Sequence, residues 1–482
     1  MAARIAASGF REYDARWRYP EEIDRGGMHR LGLGLGTQMQ RRGLDPAIVV
    51  GHDLRCYSPE VAEALVAGLI EAGIVVHDVG LALTPMAYFA QVHLGLPAVA
   101  MVTASHNPNG WTGVKMGFEA PLTHSPEDMA ELRDIVLSGA TEARPGGARR
   151  PVEGLREAYL ADLAGDLRLK RPLRAVCATG NGTAGAFAPE LLARIGVEVI
   201  PRHTALDPSF PHYNPNPEAL EMLHDMADAV RESGADLAIG LDGDGDRCGI
   251  VDGAGREIFA DKIGLLLARD LARSHLGARF VVDVKSTGLF ATDPELAAAG
   301  ARTEYWRTGH SHMKRRLHAT GALAGFEKSG HAFFGPPVGR GYDCGLRTAI
   351  EVCRLLDRNP ARSLADLVAE LPASWITPTL SPACPDGEKY AVVERLTARL
   401  QAMAATGSTL GGQRITGVLT VNGARAGLAD GGWALIRASS NTPNLVVVCE
   451  SLASEAQMRA IFRDLDALIR TEPAVGAYDQ TL

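Results

Sequence analysis

The chain repeats one pattern, in which a short apolar strand leads into a polar loop and then a helix. The pattern occurs first at 47–71, where a β-branched run is followed by Ser58-Pro59, a pair typical of an N-cap and the first helical position. Similar strands start near Arg174 and Phe280. Alternating strands and helices favour a parallel or mixed sheet covered by helices. We therefore expect three related mixed-sheet α/β domains.

The last part of the chain follows a different pattern. A proline-rich connection, Pro378 to Pro385, leads into a helix, two strands and a final helix that ends near Leu468. This order predicts a smaller C-terminal α+β domain, so that the expected fold class is α/β with one α+β domain. We place the four domains at 1–153, 154–257, 258–372 and 373–482.

Composition argues against several classes of function. The formal net charge of -8 disfavours nucleic acid or an anionic membrane as the main partner. We expect no transmembrane helix, because no run approaches ~20 apolar residues, and no secretory signal, because the start is charged too soon. The seven cysteines lack a CxxC pair. Such scattered cysteines are typical of reduced thiols in a cytoplasmic protein.

Three aspartates alternate with glycines in the metal loop, Asp242-Gly243-Asp244-Gly245-Asp246-Arg247. It follows the apolar run 235–241, which predicts a buried strand, and open α/β sheets bind ligands at the carboxyl ends of strands. Close carboxylates repel one another, so a cation should neutralise them. Mg²⁺ fits, since it takes a few carboxylates plus substrate oxygens. A calcium EF-hand does not fit, because Arg247 and Gly253 stand where it needs Gly and Glu.

A second polar stretch, the serine loop Thr103-Ala104-Ser105-His106-Asn107-Pro108, follows a strand predicted at 98–102. A serine at a strand tip, held by Asn-Pro turn chemistry, is well placed as a reactive hydroxyl. An adjacent base could activate it, or it could carry a phosphoryl group. A Ser-His-Asp hydrolase is disfavoured because no Gly-x-Ser-x-Gly elbow is present. As immediate neighbours in an extended loop, Ser105 and His106 should also point apart.

Together the two loops resemble the α-D-phosphohexomutase superfamily, most closely its bacterial phosphomannomutase/phosphoglucomutase branch. Three further segments are similar to motifs of this family and follow its order. Phe10 to Arg16 resembles the N-terminal segment, although Trp17 stands where glycine is usual. Gly325 to His331 resembles the sugar-binding loop, with Lys328 where methionine is common. Arg437 to Pro443 resembles the phosphate-binding loop, with Asn-Thr displaced by one position.

The resemblance implies four domains around a central cleft and the reversible conversion of mannose or glucose 1-phosphate into the 6-phosphate. Ser105 would carry a phosphoryl group and donate it to the sugar phosphate, which gives a hexose 1,6-bisphosphate. The same bisphosphate would serve as activator. Mg²⁺ would be bound by Asp242, Asp244, Asp246 and a phosphate oxygen on Ser105.

The resemblance also implies roles for individual residues. The predicted catalytic residues are Ser105, Lys115, Arg247, His310 and His331. Lys115 matches the proposed general base of the family, which needs a depressed pKa that neighbouring positive charges could provide. Glu327 and Ser329 would bind sugar hydroxyls, and Arg437 would help to bind the phosphate that is not transferred. The full set of predicted substrate-binding residues is Tyr13, Arg16, His106, Lys285, Gly309, Glu327, Ser329, Arg437, Ser439, Asn441 and Thr442.

Other functions stay open. A phosphoglucosamine mutase usually has glutamine before Ser-Gly-His in the sugar-binding loop. A Mg²⁺-dependent phosphohydrolase would pass the phosphoryl group of Ser105 to water, but it has no need for the loop at Arg437. An aspartyl-phosphate phosphatase would leave Ser105 without a role, and a non-catalytic binder would not need the serine and the three aspartates. We expect small-molecule sugar phosphates as partners and a monomer or a dimer.

Overall fold

The computed structural model describes residues 3–440, 442–480 and 482. The N-terminal part forms a mixed sheet in which β2, β3, β4 and β6 pair in parallel and β5 is antiparallel to both of its neighbours. The strand order is β1-β5-β4-β2-β3-β6. Its elements are β1 (Ala15–Arg18), α1 (Arg25–Arg41), β2 (Ala47–His52), α2 (Ser58–Glu71), β3 (Val75–Leu81), α3 (Thr84–His93), β4 (Ala98–Val102), β5 (Trp111–Phe118), α4 (Pro126–Ser138) and β6 (Ala148–Pro151).

The next two parts of the chain build smaller sheets, ordered β11-β10-β9-β7-β8 and β13-β12-β14-β15. The elements of the second part are α5 (Leu155–Ala164), β7 (Leu173–Ala178), α6 (Ala188–Arg194), β8 (Val197–Arg202), α7 (Leu220–Ser233), β9 (Leu237–Leu241), β10 (Cys248–Asp252) and β11 (Glu257–Ile258). The elements of the third part are α8 (Ala260–Ser274), β12 (Arg279–Asp283), α9 (Leu289–Thr292), α10 (Pro294–Ala298), β13 (Arg302–Trp306), α11 (His310–Thr320), β14 (Ala324–Phe326), β15 (Ala332–Phe334), α12 (Gly345–Arg358) and α13 (Leu364–Ala369).

The three sheets share one arrangement, which confirms the expectation of three related mixed-sheet domains. In each sheet a central strand (β2, β7 or β12) has a parallel neighbour on either side. One of those neighbours (β4, β9 or β14) turns back into an antiparallel strand (β5, β10 or β15). The three turns are the serine loop, the metal loop and the sugar loop at 327–331. The same position in three sheets therefore presents three different sets of side chains.

The C-terminal part is an antiparallel sheet with helices, which confirms the predicted α+β class. The strand order is β16-β21-β20-β19-β18-β17. The prediction of two strands between its helices is wrong, because short strands separated by glycine turns, such as Gly423 and Gly431, occupy this interval. Its elements are β16 (Trp375–Ile376), α14 (Lys389–Ala405), β17 (Thr409–Leu410), β18 (Gln413–Leu419), β19 (Ala424–Leu428), β20 (Trp433–Ala438), β21 (Leu445–Ser451) and α15 (Glu455–Ile469).

The helix predicted after Ser58 shows how local sequence and packing combine. Val61, Leu65 and Leu69 are buried on its inner face, as their spacing predicts. Ser58 is the first helical residue rather than the N-cap, because its hydroxyl donates a hydrogen bond to Asp53 at 2.5 Å. This bond connects the helix to the loop that follows β2.

Apolar packing joins the first three sheets. One continuous cluster of buried side chains includes Leu83 and Phe89 of the first part, Leu241 of β9 and Phe326 of β14. The cluster places the strands that lead into the serine, metal and sugar loops against a common core. Within the described ranges, no helix is long and apolar enough to cross a membrane.

Candidate active site

The serine loop and the metal loop touch backbone to backbone. A Cβ atom placed on Gly243 would lie 2.7 Å from the carbonyl oxygen of Ser105, so only glycine allows this approach. Across the contact, the Ser105 hydroxyl donates to Asp242 Oδ2 at 3.2 Å. The metal loop also meets the sugar loop, where the Cys248 amide donates to the Gly330 carbonyl at 3.0 Å. Residues far apart in sequence thus form one buried site.

Ser105 adopts a left-handed backbone conformation, with φ of 53°. This conformation is rare for a residue other than glycine and is often found at functional turns. It turns the loop so that Ser105 Oγ lies 3.4 Å from His106 Nδ1, and the prediction that the two side chains point apart is wrong. Burial and the charge of Arg247 hold the pKa of His106 well below its ordinary value.

An arginine that the sequence analysis missed holds the serine loop from behind. Arg55 is buried, forms an ion pair with Asp53, and donates to the carbonyls of Ser105 (2.8 Å) and Asn107. Asp53 in turn accepts from the Thr103 hydroxyl at 2.8 Å. The available signal was an acid and an arginine two residues apart, directly after a buried strand.

The three aspartates of the metal loop are fully buried, and their ligand oxygens lie within 4.8 Å of one another. Burial and the charges of Asp246 and Asp244 raise the pKa of Asp242 well above its ordinary value. Asp244 Oδ1 has no hydrogen-bond partner within the part of the chain that the structure describes. Crowded carboxylates with an unused oxygen fit a hard divalent cation such as Mg²⁺.

Lys115 lies among these carboxylates. Its ammonium donates to Asp244 at 2.8 Å and to Asp246. Burial lowers the pKa of Lys115, but the two aspartates outweigh burial and raise it above its ordinary value. The depressed pKa expected for a general base is therefore not found in this arrangement, where the neighbours of Lys115 are negative rather than positive.

Arg247 and His331 stand at the same centre. The Arg247 guanidinium pairs with Glu218 at 2.8 Å and lies 3.9 Å from Asp242. His331 bridges two domains, with Nε2 at 3.3 Å from Asp246 and Nδ1 at 3.0 Å from Glu327. Burial lowers the pKa of His331, but the attraction of Asp246 outweighs it and raises the pKa to about 9.

The sugar loop presents Glu327 and Ser329 beside His331. Glu327 accepts from the Gly309 amide at 2.5 Å, and Ser329 Oγ lies 3.0 Å from His331 Nδ1. Burial raises the pKa of Glu327, but the bond from His331 and the charge of Lys285 help to lower it to about 2. Gly309 is required here, because a Cβ would lie 2.6 Å from the Tyr13 ring. Glu327 is therefore an ionised acceptor held next to a charged donor.

Lys285 lies in a loop that the C-terminal domain anchors. The buried Glu450 carboxylate accepts from Thr287 Oγ1 (2.6 Å), the Gly288 amide (2.7 Å) and Trp433 Nε1 (2.6 Å). A second anchor is Arg425, which donates to two carbonyls of the same loop at 2.7 and 2.8 Å and stacks on the Trp433 ring. The sequence offered no signal for this connection.

His310 and Arg16 occupy the side of the site nearest the N-terminal segment. His310 begins α11, is buried, and has its Nε2 3.9 Å from Asp14 Oδ2. Burial and the charge of Lys314 lower the pKa of His310 to about 4. Arg16 donates to the Thr103 carbonyl at 2.6 Å and pairs with Asp14 at 2.8 Å, so it braces the serine loop.

The predicted phosphate-binding loop is compact. Ser439 Oγ lies 2.8 Å from Thr442 Oγ1, and Lys389 donates to the Thr442 carbonyl at 3.0 Å. Arg437 is buried, and its Nε has no hydrogen-bond partner among the residues described. Asn441 lies outside the described residues.

Family models match the chain in four consecutive segments. They are described as phosphoglucomutase/phosphomannomutase, alpha/beta/alpha domain I (residues 7–143), domain II (157–255), domain III (259–375) and C-terminal domain (383–468). A phosphomannomutase/phosphoglucomutase of Pseudomonas putida is 33% identical over 475 residues, which is 98% of each chain. The chain belongs to the phosphoglucomutase/phosphomannomutase family. A phosphoglucomutase of Neisseria gonorrhoeae is 32% identical, again over 98% of each chain.

Solved structures agree with this membership. A phosphoglucomutase/phosphomannomutase family protein of Burkholderia thailandensis has a TM-score of 0.86 and 30% identity, covering 98% of this chain and 99% of its own. A phosphomannomutase-like structure from Thermus thermophilus, titled putative, shares the fold with a TM-score of 0.79 at 24% identity, over 98% of this chain and 100% of its own.

Two departures from the family motifs have structural explanations. Trp17 replaces the usual glycine and is fully buried, with its indole donating to the Ala6 carbonyl at 2.7 Å. Gly9 makes room for it, since a Cβ there would lie 1.8 Å from the indole nitrogen. Lys328 replaces the common methionine, and its ammonium donates to the Thr377 carbonyl at 3.3 Å and lies over the Phe259 ring. Lys328 thus points toward the connection to the last domain.

Proposed function

We propose that this protein is a phosphohexomutase that interconverts the 1-phosphates and 6-phosphates of mannose and glucose through a phosphoserine at Ser105. The observation that carries the proposal is the contact between Ser105 Oγ and Asp242 across two domains, at 3.2 Å. A hydroxyl held against a cluster of metal-ligand carboxylates suits a group that carries phosphate. Membership in the family supports the same reaction.

The reaction consists of two phosphoryl transfers. In the first, the bond from phosphorus to Ser105 Oγ breaks, a bond to the free sugar hydroxyl forms, and the hydroxyl proton leaves. In the second, the other phosphate of the resulting 1,6-bisphosphate returns to Ser105, which restores the phosphoserine. A hexose 1,6-bisphosphate can therefore load an unphosphorylated enzyme, and we propose it as the activator.

The residues around Ser105 provide charge for this transfer. Mg²⁺, held by Asp242, Asp244, Asp246 and a phosphate oxygen, would stabilise the charge that develops on the phosphoryl group. Arg247 and His331 add positive charge within the same buried centre, where it acts more strongly than in water. Lys115 stays the proposed general base on the strength of the family resemblance.

The substrate-binding roles follow from the groups that surround this centre. Glu327 and Ser329 offer an acceptor and a hydroxyl for sugar oxygens, with Lys285, Gly309, Tyr13 and His106 nearby. Arg437, together with Ser439, Thr442 and Asn441, is proposed to bind the phosphate that is not being transferred, because an arginine and short hydroxyls suit a dianion. Arg16 acts through the serine loop that it braces.

We also propose the domain boundaries of the sequence analysis, a monomer or a dimer, and a cytoplasmic location. The reduced cysteines support the location, since all seven lie in the described ranges and are free thiols.

A coupled assay tests the function. Glucose 1-phosphate, mannose 1-phosphate and glucosamine 1-phosphate are offered separately, with Mg²⁺ and with or without a trace of glucose 1,6-bisphosphate. We expect 6-phosphates from the first two substrates and faster turnover with the bisphosphate. Inorganic phosphate released without isomerised product would show a phosphohydrolase instead, and preferential use of glucosamine 1-phosphate would show a phosphoglucosamine mutase. Ser105→Ala, which should fold normally and lose most turnover, is the control for both arms.

A further inference from the structure

His310 is held between a positive and a negative group at its two ring nitrogens. Its Nδ1 lies 3.4 Å from the ammonium of Lys314 and 3.4 Å from the Thr123 hydroxyl. Its Nε2 faces the Asp14 carboxylate at 3.9 Å, beyond hydrogen-bond distance. Within the described part of the chain, Nε2 has no hydrogen-bond partner although it is buried. The ring therefore has one occupied nitrogen and one unused nitrogen.

Lys314 is built to remain charged in this position. It is fully buried on α11, one turn after His310, and its ammonium lies 2.7 Å from the equally buried Asp343. Burial lowers the pKa of Lys314, and the charge of Asp343 opposes that shift. The ammonium also lies 4.0 Å from the centre of the Tyr88 ring, an arrangement that favours a cation.

An ammonium has three donors and no acceptor. The nitrogen of His310 that faces Lys314 must therefore be the acceptor, so in the neutral ring the proton resides on the other nitrogen. The charge of Asp14 favours the same arrangement, because a proton on Nε2 is attracted to the carboxylate whereas a lone pair there would be repelled. The low pKa of His310 agrees with a ring that carries a single proton near neutral pH.

We propose that Lys314 is a positioning residue that locks His310 in the Nε2–H tautomer, so that His310 presents a hydrogen-bond donor to an oxygen of the sugar phosphate. His310 then acts as a neutral donor and not as a proton acceptor. The use of this donor rests on the proposed mutase function, whereas the tautomer itself does not.

The tautomer can be observed directly in the whole protein without substrate. The chain is labelled with ¹⁵N-histidine, and two-bond ¹H–¹⁵N correlation spectra are recorded near neutral pH. The signal of His310 is assigned by its loss in His310→Gln. We expect the pattern of a ring protonated on Nε2 alone. A ring protonated on Nδ1, or on both nitrogens, would overturn the proposal whatever reaction the enzyme catalyses.

Two variants test the part played by Lys314. Lys314→Met keeps the apolar stem but removes the donor, so the Nδ1–H tautomer should appear and kcat should fall about tenfold or more with little change in KM. Thr123→Val removes the other neighbour of Nδ1 and should keep the Nε2–H pattern. A Lys314→Met protein that retains the pattern of the parent contradicts the proposal, even if its activity is lost. If that variant does not fold, the spectrum of the unaltered protein still decides.

Discussion

Replacing Arg55 with methionine tests whether the serine loop depends on the support behind it. Arg55 and Asp53 are each about 1% exposed, so the substitution leaves a buried carboxylate without its partner. Breaking a buried pair in this way costs about 3–5 kcal/mol. The Ser105 carbonyl, which accepts from Arg55 at 2.8 Å, also loses its donor. For a domain of this size, the penalty corresponds to a fall of roughly 10 °C in the unfolding temperature.

The assay combines thermal unfolding, followed by fluorescence or calorimetry, with initial rates of the mutase reaction. Arg156→Met is the matched control, because Arg156 pairs with Glu190 at the surface, where a pair contributes at most about 1 kcal/mol. The double variant Arg55→Met, Asp53→Asn removes both buried charges. It should recover part of the stability but not kcat, since the Ser105 carbonyl is still unsupported. An Arg55→Met protein that melts and turns over like Arg156→Met would refute the reasoning.

Three further predictions concern other parts of the molecule. Asp244→Asn should raise the Mg²⁺ concentration needed for half-maximal turnover by about tenfold or more, and an unchanged half-point in a Mg²⁺ titration would contradict the assigned metal site. Glu450→Ala should lower the free energy of unfolding by about 3–6 kcal/mol, because buried N–H groups of the anchored loop and of Trp433 lose their acceptor, whereas Glu450→Gln should cost less; equal stability of the two variants would count against this reading. Burial lowers the pKa of His124 from its ordinary 6.5 to about 4, so between these values the unfolded chain binds more protons and the protein loses stability on acidification. His124→Phe should remove up to about 3 kcal/mol of this loss, measured as a flatter dependence of unfolding free energy on pH.

The parts of the molecule that could be predicted from the sequence are those in which a local pattern has one structural meaning. The run before Asp242 forms β9, and the strand before Thr103 forms β4 with the bounds expected. Alternating aspartates and glycines indicate a ligand loop because few other structures tolerate such a sequence. The four-domain architecture follows once the loops are recognised in order along the chain.

The parts that could not be predicted depend on contacts between distant segments. The contact of Ser105 with His106 requires a positive φ, which the sequence does not indicate for serine. The high pKa of Lys115 arises from aspartates that lie more than a hundred positions away. Lys314 is similar: on a helical pattern it reads as a surface lysine, and only the packing of α11 places it in the interior.

The missing side chain at Gly243 has a mechanical consequence. Because main chain meets main chain at this point, the gap between the serine oxygen and the aspartates is a dimension of the scaffold and does not vary with rotamers. The two loops belong to separate domains, so any relative displacement of those domains changes this gap directly, with no flexible spacer to absorb it. The interface between the first two domains thus works as a gauge block that sets the stroke of the transfer.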